Sequence, residues 1–403
     1  MDLRKYRQDF PLLQETAGHK PVVYLDTACQ SLRPRQVIEA VTRYYNESSA
    51  CSGRSMHHLA ADLTRKVDQS RELVAKFLGA ARKEEIVFLR NTTEGINLVA
   101  NALGLQPGDE IIISDKEHNS NLIPWQMAAK KRGVIVKVVP SKPDNTFDLA
   151  AYQALLSPQV KLVSIGFTSN LDGVTVPAEE IIKAAHKNRA LVLLDAAQTA
   201  PHHKINVKGL DVDFLAFSGH KMLGPSGTGV LYGKYKLLQE IDPFLVGGDT
   251  VATSTYTGCE FLPPPEKFEA GLQDYAGMIG LGAAVKYLQD VGFDAIQKQE
   301  TLLNQQISTG LAEIAGLKII GPADPRLRSG ITSFYIDGID SHRIALMLDQ
   351  MAGVMVRSGQ HCVHSWFNAH NIYGCVRAST YFYNTVEDAE QLITNLKKIR
   401  KVL

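Results

Sequence analysis

The chain has 403 residues, and its 43 lysine and arginine residues nearly balance its 42 aspartate and glutamate residues. The resulting formal net charge of +1 argues against a nucleic-acid-binding or membrane-surface protein. Apolar residues make up 45% of the chain, as in ordinary globular proteins, and no apolar run approaches the ~20 residues of a membrane span. Because single cores stop growing below this length, we expect one large and one smaller domain.

The five cysteines are few, odd in number and never spaced as CxxC. This pattern argues against a disulfide framework and predicts a reducing compartment, most simply the cytoplasm. No metal site is expected. The first residues, Met1 to Lys5, are followed by no apolar segment, so we expect no secretory signal.

The first part of the chain alternates between helical and extended patterns. In chain order the predicted elements are helix 67–78, strand 86–89, helix 94–103, strand 110–113, helix 122–132, strands 134–139 and 162–167, helix 178–188, and strands 190–194 and 214–217. Apolar strands that alternate with helices predict an α/β fold in which helices cover both faces of a mostly parallel sheet.

Three consecutive prolines at 263–265 mark a break in this alternation. The elements predicted beyond it are helices 275–290 and 293–314, strand 331–336, and helices 341–351 and 386–402. They favour a smaller α+β domain. We therefore predict a large domain over 19–284 and a small domain over 285–403, with residues 1–18 packed against the small domain.

Polar side chains follow five of the predicted strands. The segments are Arg90 to Gly95, Glu117 to Asn119, Thr168 to Asn170, Asp195 to Gln198, and Ser218 to Lys221. Ligands of parallel sheets bind at the carboxyl ends of the strands, so these groups are expected to meet in one crevice.

Three of these positions carry specific chemistry. Thr92 and Thr93 open a helix, where free N–H groups bind phosphate, although simple N-capping is the favoured explanation for them in isolation. Asp195 ends an apolar strand and needs a cationic partner, either a pyridinium nitrogen or a salt bridge. Lys221 stands among apolar residues, and a desolvated lysine is a nucleophile, whereas an isolated lysine is usually a surface charge.

The motifs Asp195-Ala-Ala-Gln198 and Ser218-Gly-His-Lys221 resemble those of class V fold-type I enzymes that use pyridoxal phosphate (PLP). The resemblance runs from Tyr24 to Ser379, and Arg357-Ser-Gly-Gln-His-Cys362 makes the chain most similar to the group II cysteine desulfurases. It implies a fold-type I PLP-dependent transferase with PLP as its cofactor. Lys221 would hold PLP as a Schiff base and move the substrate's protons.

The resemblance also implies roles for the other crevice residues. Asp195 would keep the pyridine nitrogen protonated, His118 would stack on the ring and act in acid–base chemistry, and Gln198 would contact the ring hydroxyl. The implied phosphate ligands are Thr92, Thr93, Ser218 and His220. The implied substrate-binding residues are Arg377, which would bind the carboxylate, with Asn170, Arg357 and His57; Asn170 is also placed beside the cofactor.

Cys362 occupies the position of the family's persulfide cysteine. The resemblance implies that its thiolate takes sulfur from L-cysteine, leaving L-alanine, and passes it to a protein acceptor such as an iron–sulfur scaffold. His361 and Arg357 are close in sequence and are expected to favour the thiolate. Cys375, beside Gly374 and Val376, fits the usual buried, inert cysteine.

Three segments depart from the family pattern. Leu272 stands where a threonine usually binds the neighbouring subunit's phosphate, and Gly53 stands where the first histidine of His-Arg-Gly-x-His is expected. The third departure is the segment 363–366, which follows Cys362. It contains His364, a candidate site residue to which no role is assigned. Residues 257–269 are expected to form a hook between the subunits of a symmetric homodimer.

Two classes of alternative function stay open from the sequence. The same scaffold serves selenocysteine lyases, cysteine sulfinate desulfinases, epimerases and transaminases, and a selenocysteine lyase would share nearly all of these residues. A catalytically silent scaffold protein is the other alternative, although it would have no need to keep Lys221, Asp195, His118, Cys362 and Arg377 together.

Overall fold

The computed structural model of the protein describes residues 3–17 and 20–403, so the expected boundary between residues 18 and 19 lies outside the described residues. The helices are α1 Arg4–Arg7, α2 Arg35–Glu47, α3 His58–Leu78, α4 Thr92–Ala102, α5 Asn119–Arg132, α6 Leu149–Leu155, α7 Ala178–Lys187, α8 Val207–Leu210, α9 Tyr235–Glu240, α10 Tyr275–Val291, α11 Phe293–Ala312, α12 Ser341–Ala352, α13 His364–Ala369 and α14 Val386–Arg400. The strands are β1 Thr16–Ala17, β2 Lys20–Pro21, β3 Val23–Tyr24, β4 Ile86–Leu89, β5 Glu110–Ser114, β6 Ile135–Val139, β7 Val160–Gly166, β8 Leu191–Asp195, β9 Phe214–Ser218, β10 Gly229–Gly233, β11 Val251–Ser254, β12 Cys259–Phe261, β13 Leu317–Ile320, β14 Ile331–Ile336, β15 Val354–Met355, β16 Arg357–Gly359 and β17 Cys375–Ser379.

The main sheet has seven strands in the order β4-β10-β9-β8-β7-β5-β6. Strands β5 to β9 form parallel pairs with their neighbours, and β10 runs antiparallel to both β4 and β9. The predicted α/β fold with a mostly parallel sheet is therefore confirmed. The sequence analysis did not identify β10, which lies between β4 and β9 in this sheet.

Both faces of the main sheet are buried, as expected for parallel strands. Along β8, Val192 and Leu194 lie in the core beneath α3, α7 and α10, whereas Leu193 lies in the core beneath α4 and α5. Side chains of successive residues in a strand point to opposite faces, so one apolar run supplies both cores. The sheet is thereby held rigid, with its strand ends at one edge.

The small sheet, β13-β14-β17-β16, is antiparallel throughout, and α11, α12 and α14 cover one of its faces. Its register places Arg357 opposite Arg377. The N-terminal segment contacts the C-terminal helix, because Arg7 Nη1 donates to Asp388 Oδ2 at 2.9 Å. The domain limits themselves stay a prediction.

Two helix boundaries differ from the sequence prediction in a way that matters for the site. Helix α4 begins at Thr92 rather than Glu94, and α5 begins at Asn119 rather than at residue 122. Pro124 lies inside α5, beyond its first turn, where a proline removes one intrahelical hydrogen bond. Within the part of the chain that the structure describes, no helix is long and apolar enough to cross a membrane.

Candidate active site

The ends of β4, β5, β7, β8 and β9 border one cavity of about 280 Å³. Four residues on or near β16 and β17 of the small sheet close it. The lining residues from the sequence prediction are Thr92, Thr93, His118, Asn170, Asp195, Gln198, Ser218, His220, Lys221, Arg357, Cys362 and Arg377. Five strand ends of one sheet and a facing loop thus meet in one place, as the order of the sequence motifs predicts.

One wall of the cavity is the N-terminus of α4. Asn91, not a threonine, caps this helix, because its side chain accepts the Glu94 N–H. Thr92 is the first helical residue, and its Oγ1 lies 2.7 Å from Ser218 Oγ. These hydroxyls stand beside the positive end of the helix dipole, an arrangement that suits a phosphate group.

Lys221 reaches the cavity from a single 3-10 turn, Gly219–Lys221, that directly follows β9. Glycine is required at 219, since a Cβ there would lie 2.2 Å from Thr228 Oγ1. Burial lowers the pKa of the Lys221 amine, and the charge of Asp195 opposes that shift. An amine whose pKa is lowered by desolvation is more often neutral and therefore nucleophilic.

Asp195 ends β8 as a buried carboxylate. Its Oδ1 accepts the Ala197 N–H at 2.9 Å, and burial nevertheless raises its pKa. A buried carboxylate in this condition is stabilised by a cation placed against it, and a protonated pyridine nitrogen is such a cation.

Gln198 carries a second buried polar group that a ligand in the same cavity would satisfy. Its Nε2 donates to Ala28 O at 2.7 Å, whereas its buried Oε1 has no hydrogen-bond partner. A ring hydroxyl would satisfy that oxygen. The phosphate-binding helix end, the buried Asp195 carboxylate and the unpartnered Gln198 oxygen therefore fit the three polar ends of PLP.

His118 caps α5, and its Nδ1 accepts the Ser120 N–H at 3.1 Å. Burial lowers its pKa to about 3, with the charges of Lys221 and the two cavity arginines acting in the same direction. The ring is therefore neutral at ordinary pH and carries its proton on Nε2. A neutral, oriented imidazole suits stacking on a cationic ring.

Arg377 lies on β17 and is buried. Its Nη1 donates to Asn170 O at 2.9 Å and its Nη2 lies 3.5 Å from Asp26 Oδ1. Its Nε is buried and has no partner in the structure. A substrate carboxylate would satisfy this donor, and the role of Arg377 in substrate binding stays a prediction.

The loop that carries Cys362 is fixed to the large domain by two hydrogen bonds. The Asn119 N–H donates to Cys362 O at 2.7 Å, and Asn170 Nδ2 donates to His361 O at 2.8 Å. His361 and Cys362 both adopt positive φ angles, 48° and 60°, which cost non-glycine residues energy. The loop is thus held in an unfavourable backbone conformation by contacts with the strand ends.

Two predicted neighbours of the Cys362 thiol contact other thiols instead. Arg357 Nη1 donates to Cys29 Sγ at 2.6 Å, and His361 Nε2 lies 3.1 Å from Cys375 Sγ. The reason is register, because β16 places Arg357 on the small sheet several residues before the loop turns. Arg357 and His361 are predicted to favour the Cys362 thiolate, but their direct contacts are with Cys29 and Cys375.

His57 lies away from the cavity of its own chain. It is exposed and caps α3, its Nδ1 accepting the Ala60 N–H at 3.3 Å. Its predicted role in substrate binding stays a prediction. Arg54 from the same motif pairs with Asp249.

Glu117 and Cys29 are among the cavity residues that were not given roles from the sequence. Glu117 is buried, accepts the Gly166 N–H at 2.9 Å and the Asn121 amide at 2.7 Å, and its pKa is raised to about 7 by burial. The sequence signal for Glu117 was its position shortly after strand β5, at the edge where the crevice is predicted. Cys29 gave no such signal, because only the tertiary structure brings it into the cavity.

The family model described as aminotransferase class V matches residues 23–392. The chain is 39% identical over 405 residues to a cysteine desulfurase of Serratia proteamaculans, covering 100% of this chain and 99% of that one. It is similar in structure to the apo cysteine desulfurase of Thermococcus onnurineus NA1, with a TM-score of 0.94 and 38% identity over 99% of this chain and 98% of the other. It is also similar to a C-DES mutant that holds glycine covalently linked to its PLP cofactor, with a TM-score of 0.82 and 25% identity over 97% and 98% of the two chains.

Proposed function

Because the chain belongs to the aminotransferase class V family and is a PLP-dependent cysteine desulfurase, we propose that Cys362 is the thiol that receives the sulfur of L-cysteine. The observation that carries this assignment is the placement of Cys362 in the same cavity as Lys221, Asp195 and Arg377. Asn119 and Asn170 fix its loop there.

The residues that hold PLP in this proposal are those that fit its polar ends. Thr92, Thr93, Ser218 and His220 would hold the phosphate, and Asp195 and Gln198 would bind the ring nitrogen and hydroxyl. When bound, PLP delocalises the electron pair left at the α-carbon after proton removal. The Asp195 carboxylate keeps the ring nitrogen protonated, which is the condition for that delocalisation.

Lys221 and Arg377 handle the amino acid itself. The free Arg377 Nε–H binds the substrate carboxylate and thereby fixes which α-bond faces the cavity. Lys221, whose pKa is lowered by burial, would hold the cofactor through its amine, and the same amine is placed to move the substrate's α-proton. The neutral His118 ring would lie against the cofactor ring and exclude water on that side.

Cys362 then acts on the substrate sulfur. Its thiolate forms an S–S bond with that sulfur, the C–S bond breaks, and the carbon fragment takes up protons to become L-alanine. A persulfide remains on Cys362. The sulfur leaves it for a protein acceptor, proposed here to be an iron–sulfur scaffold, in the cytoplasm, where five free cysteines are maintained.

The test is the simultaneous measurement of alanine and sulfide from PLP-loaded protein, L-cysteine and a reductant. The wild type is expected to give equal amounts of both products. Cys362→Ala is expected to lose both by about 10³-fold or more while keeping the cofactor's visible absorbance, because the nucleophile is gone and the crevice is intact. The matched control is Cys259→Ala, which removes an exposed thiol outside the cavity. Full cysteine turnover by Cys362→Ala would contradict the proposal.

We also propose that the protein is a symmetric homodimer. Met56, Val246 and Tyr256 are largely exposed apolar side chains around the β11–β12 hairpin, and Leu272 borders a cavity of about 330 Å³ nearby. Exposed apolar side chains in one region are typical of an interface. This arrangement supports the expected hook at 257–269 and a role for His57 in the partner's cavity.

Sedimentation of a Val246→Asp/Tyr256→Asp variant tests the dimer. The charges are expected to convert it to a monomer, because a buried unpaired charge weakens an interface strongly. Tyr373→Asp is the control, since Tyr373 is also fully exposed but lies on the small domain. A wild type that sediments as a monomer, or a double variant that stays dimeric, would contradict the proposed surface.

A further inference from the structure

The active-site cavity contains two thiols. Cys29 and Cys362 both line it, together with Lys221. Cys29 belongs to the turn that follows β3, where its N–H donates to Asp26 O at 3.1 Å. Strand β17 anchors this turn, because Ser379 Oγ accepts the Ala28 N–H at 2.9 Å. Cys29 is therefore held on the small sheet's side of the cavity, beside the strand that carries Arg377.

Arg357 connects Cys29 with the strand that leads into the Cys362 loop. Its Nη1 donates to Cys29 Sγ at 2.6 Å, and β16, on which it lies, ends three residues before Cys362. A guanidinium is the donor that best complements a thiolate's negative charge. The structure thus pairs a fixed cation with Cys29.

The other thiols of the chain lack this setting. Cys51 and Cys259 are exposed and lie outside the cavity lining. Cys375 is buried against His361, and burial raises its pKa to about 12, so it stays a thiol. Of the five cysteines, Cys29 alone shares both the cavity of Cys362 and a guanidinium partner.

The electrostatics of Lys221 support the nearness of the two cavity thiols. Negative charge on Cys29 and negative charge on Cys362 each raise the pKa of the Lys221 amine, so both sulfurs lie within electrostatic reach of one nitrogen. Both thiols border the same cavity of about 280 Å³.

We propose that Cys29 is a second sulfur-carrying residue, which takes the terminal sulfur of the Cys362 persulfide; this inference rests on the proposed persulfide at Cys362. The Cys29 thiolate attacks the terminal sulfur, and a new S–S bond forms there. The old S–S bond breaks, and its electron pair leaves with Cys362 Sγ as a thiolate. The terminal sulfur keeps its proton, so no oxidant or reductant is consumed. Cys362 is then free to react with a second L-cysteine while the first sulfur waits on Cys29.

The experiment maps persulfides on the PLP-loaded protein after brief reaction with excess L-cysteine without reductant. Persulfides are trapped by alkylation and located by peptide mass spectrometry. The amount of persulfide at each cysteine is expressed per alanine formed. The wild type is expected to carry persulfide on both Cys362 and Cys29, approaching about two sulfurs per chain, and Cys29→Ser about one. Cys362→Ser is expected to carry it on neither residue. Cys51→Ser and Cys259→Ser are the controls, and both should match the wild type.

Several results would overturn this inference. Persulfide on Cys362 alone in the wild type refutes transfer to Cys29 while leaving the proposed function intact. Persulfide on Cys29 in Cys362→Ser shows that Cys29 does not depend on Cys362. A Cys29–Cys362 disulfide with release of sulfide shows attack at Cys362 Sγ instead. Equal labelling of Cys51 or Cys259 shows unselective transfer. Absence of both alanine and any persulfide refutes the proposed function and this inference with it.

Discussion

The two sides of the active site are built by different physical means. The cofactor crevice consists of strand ends in a seven-stranded sheet whose faces are both buried, so each side chain is positioned by the backbone from which it projects. The Cys362 loop follows β16 of the small sheet, and two hydrogen bonds from Asn119 and Asn170 hold it at positive φ angles. The crevice residues are positioned by a sheet buried on both faces, whereas the loop depends on two hydrogen bonds, and a single substitution of Asn170 removes one of them.

This difference predicts a separation of functions. Changes in the crevice should abolish cofactor chemistry altogether. Changes in the loop's attachments should slow sulfur transfer and leave cofactor binding unaffected. Loops positioned by a rigid scaffold often carry the moving part of a reaction.

The largest effect is expected for Lys221→Ala. Loss of the amine should remove the borohydride-reducible Schiff base and lower cysteine turnover by about 10³-fold or more, because one residue both carries the cofactor and transfers protons. Absorbance with and without borohydride, combined with alanine release, measures both effects. Lys204→Ala, at an exposed position of the large domain, is the control. A reducible Schiff base in Lys221→Ala would refute the crevice assignment.

A smaller effect is expected for Asn170→Ala. This change removes the donor to His361 O but keeps the Asn170 carbonyl that accepts from Arg377, because that carbonyl is backbone. A lost hydrogen bond of about 1 kcal/mol corresponds to roughly a fivefold slower formation of the Cys362 persulfide. Single-turnover persulfide formation is the measurement, and the Schiff-base absorbance should not change.

Asn119→Ala is the matched control for Asn170→Ala. It removes an exposed contact with His364 at 2.9 Å and keeps the backbone bond from residue 119 to Cys362. Its persulfide rate should stay close to that of the wild type. Equal slowing by both variants would show that the attachment at His361 has no special role.

The last expected effect concerns pH and leaves the chemistry of the crevice untouched. Burial lowers the pKa of His361 from its ordinary 6.5 to about 2 while the loop is closed. An opened loop therefore binds more protons below pH 6.5, so acid favours opening. Hydrogen-exchange protection of the Val363 amide, which donates to Gln360 O, should fall by about eightfold from pH 7.0 to 5.5 after correction for intrinsic exchange. In His361→Gln this decrease should disappear, and its persistence would assign the pH effect to another group.

Much of the crevice was accessible from sequence because its information is local. Asp195 and Lys221 each directly follow an apolar run, and the order of these runs predicted the parallel sheet and the edge at which they meet. Local patterns failed where a boundary depended on capping, as for Thr92, whose helix is capped by Asn91. The pairing of β10 was also out of reach, because antiparallel and parallel strands read alike in an apolar run.

The sequence by itself therefore determined the α/β fold, the crevice with Lys221 at its centre, and the motif that contains Cys362, since these depend on residue periodicity and on the ends of strands. Only the tertiary structure decided that Arg357 contacts Cys29, 328 positions away, that His361 faces Cys375, and that His57 lies outside its own chain's cavity. Those contacts depend on how the small sheet packs against the large one. Side chains distant in sequence contact one another through that packing. Burial lowers the pKa values of His118 and His361, and these side chains are buried only after the two sheets have packed together.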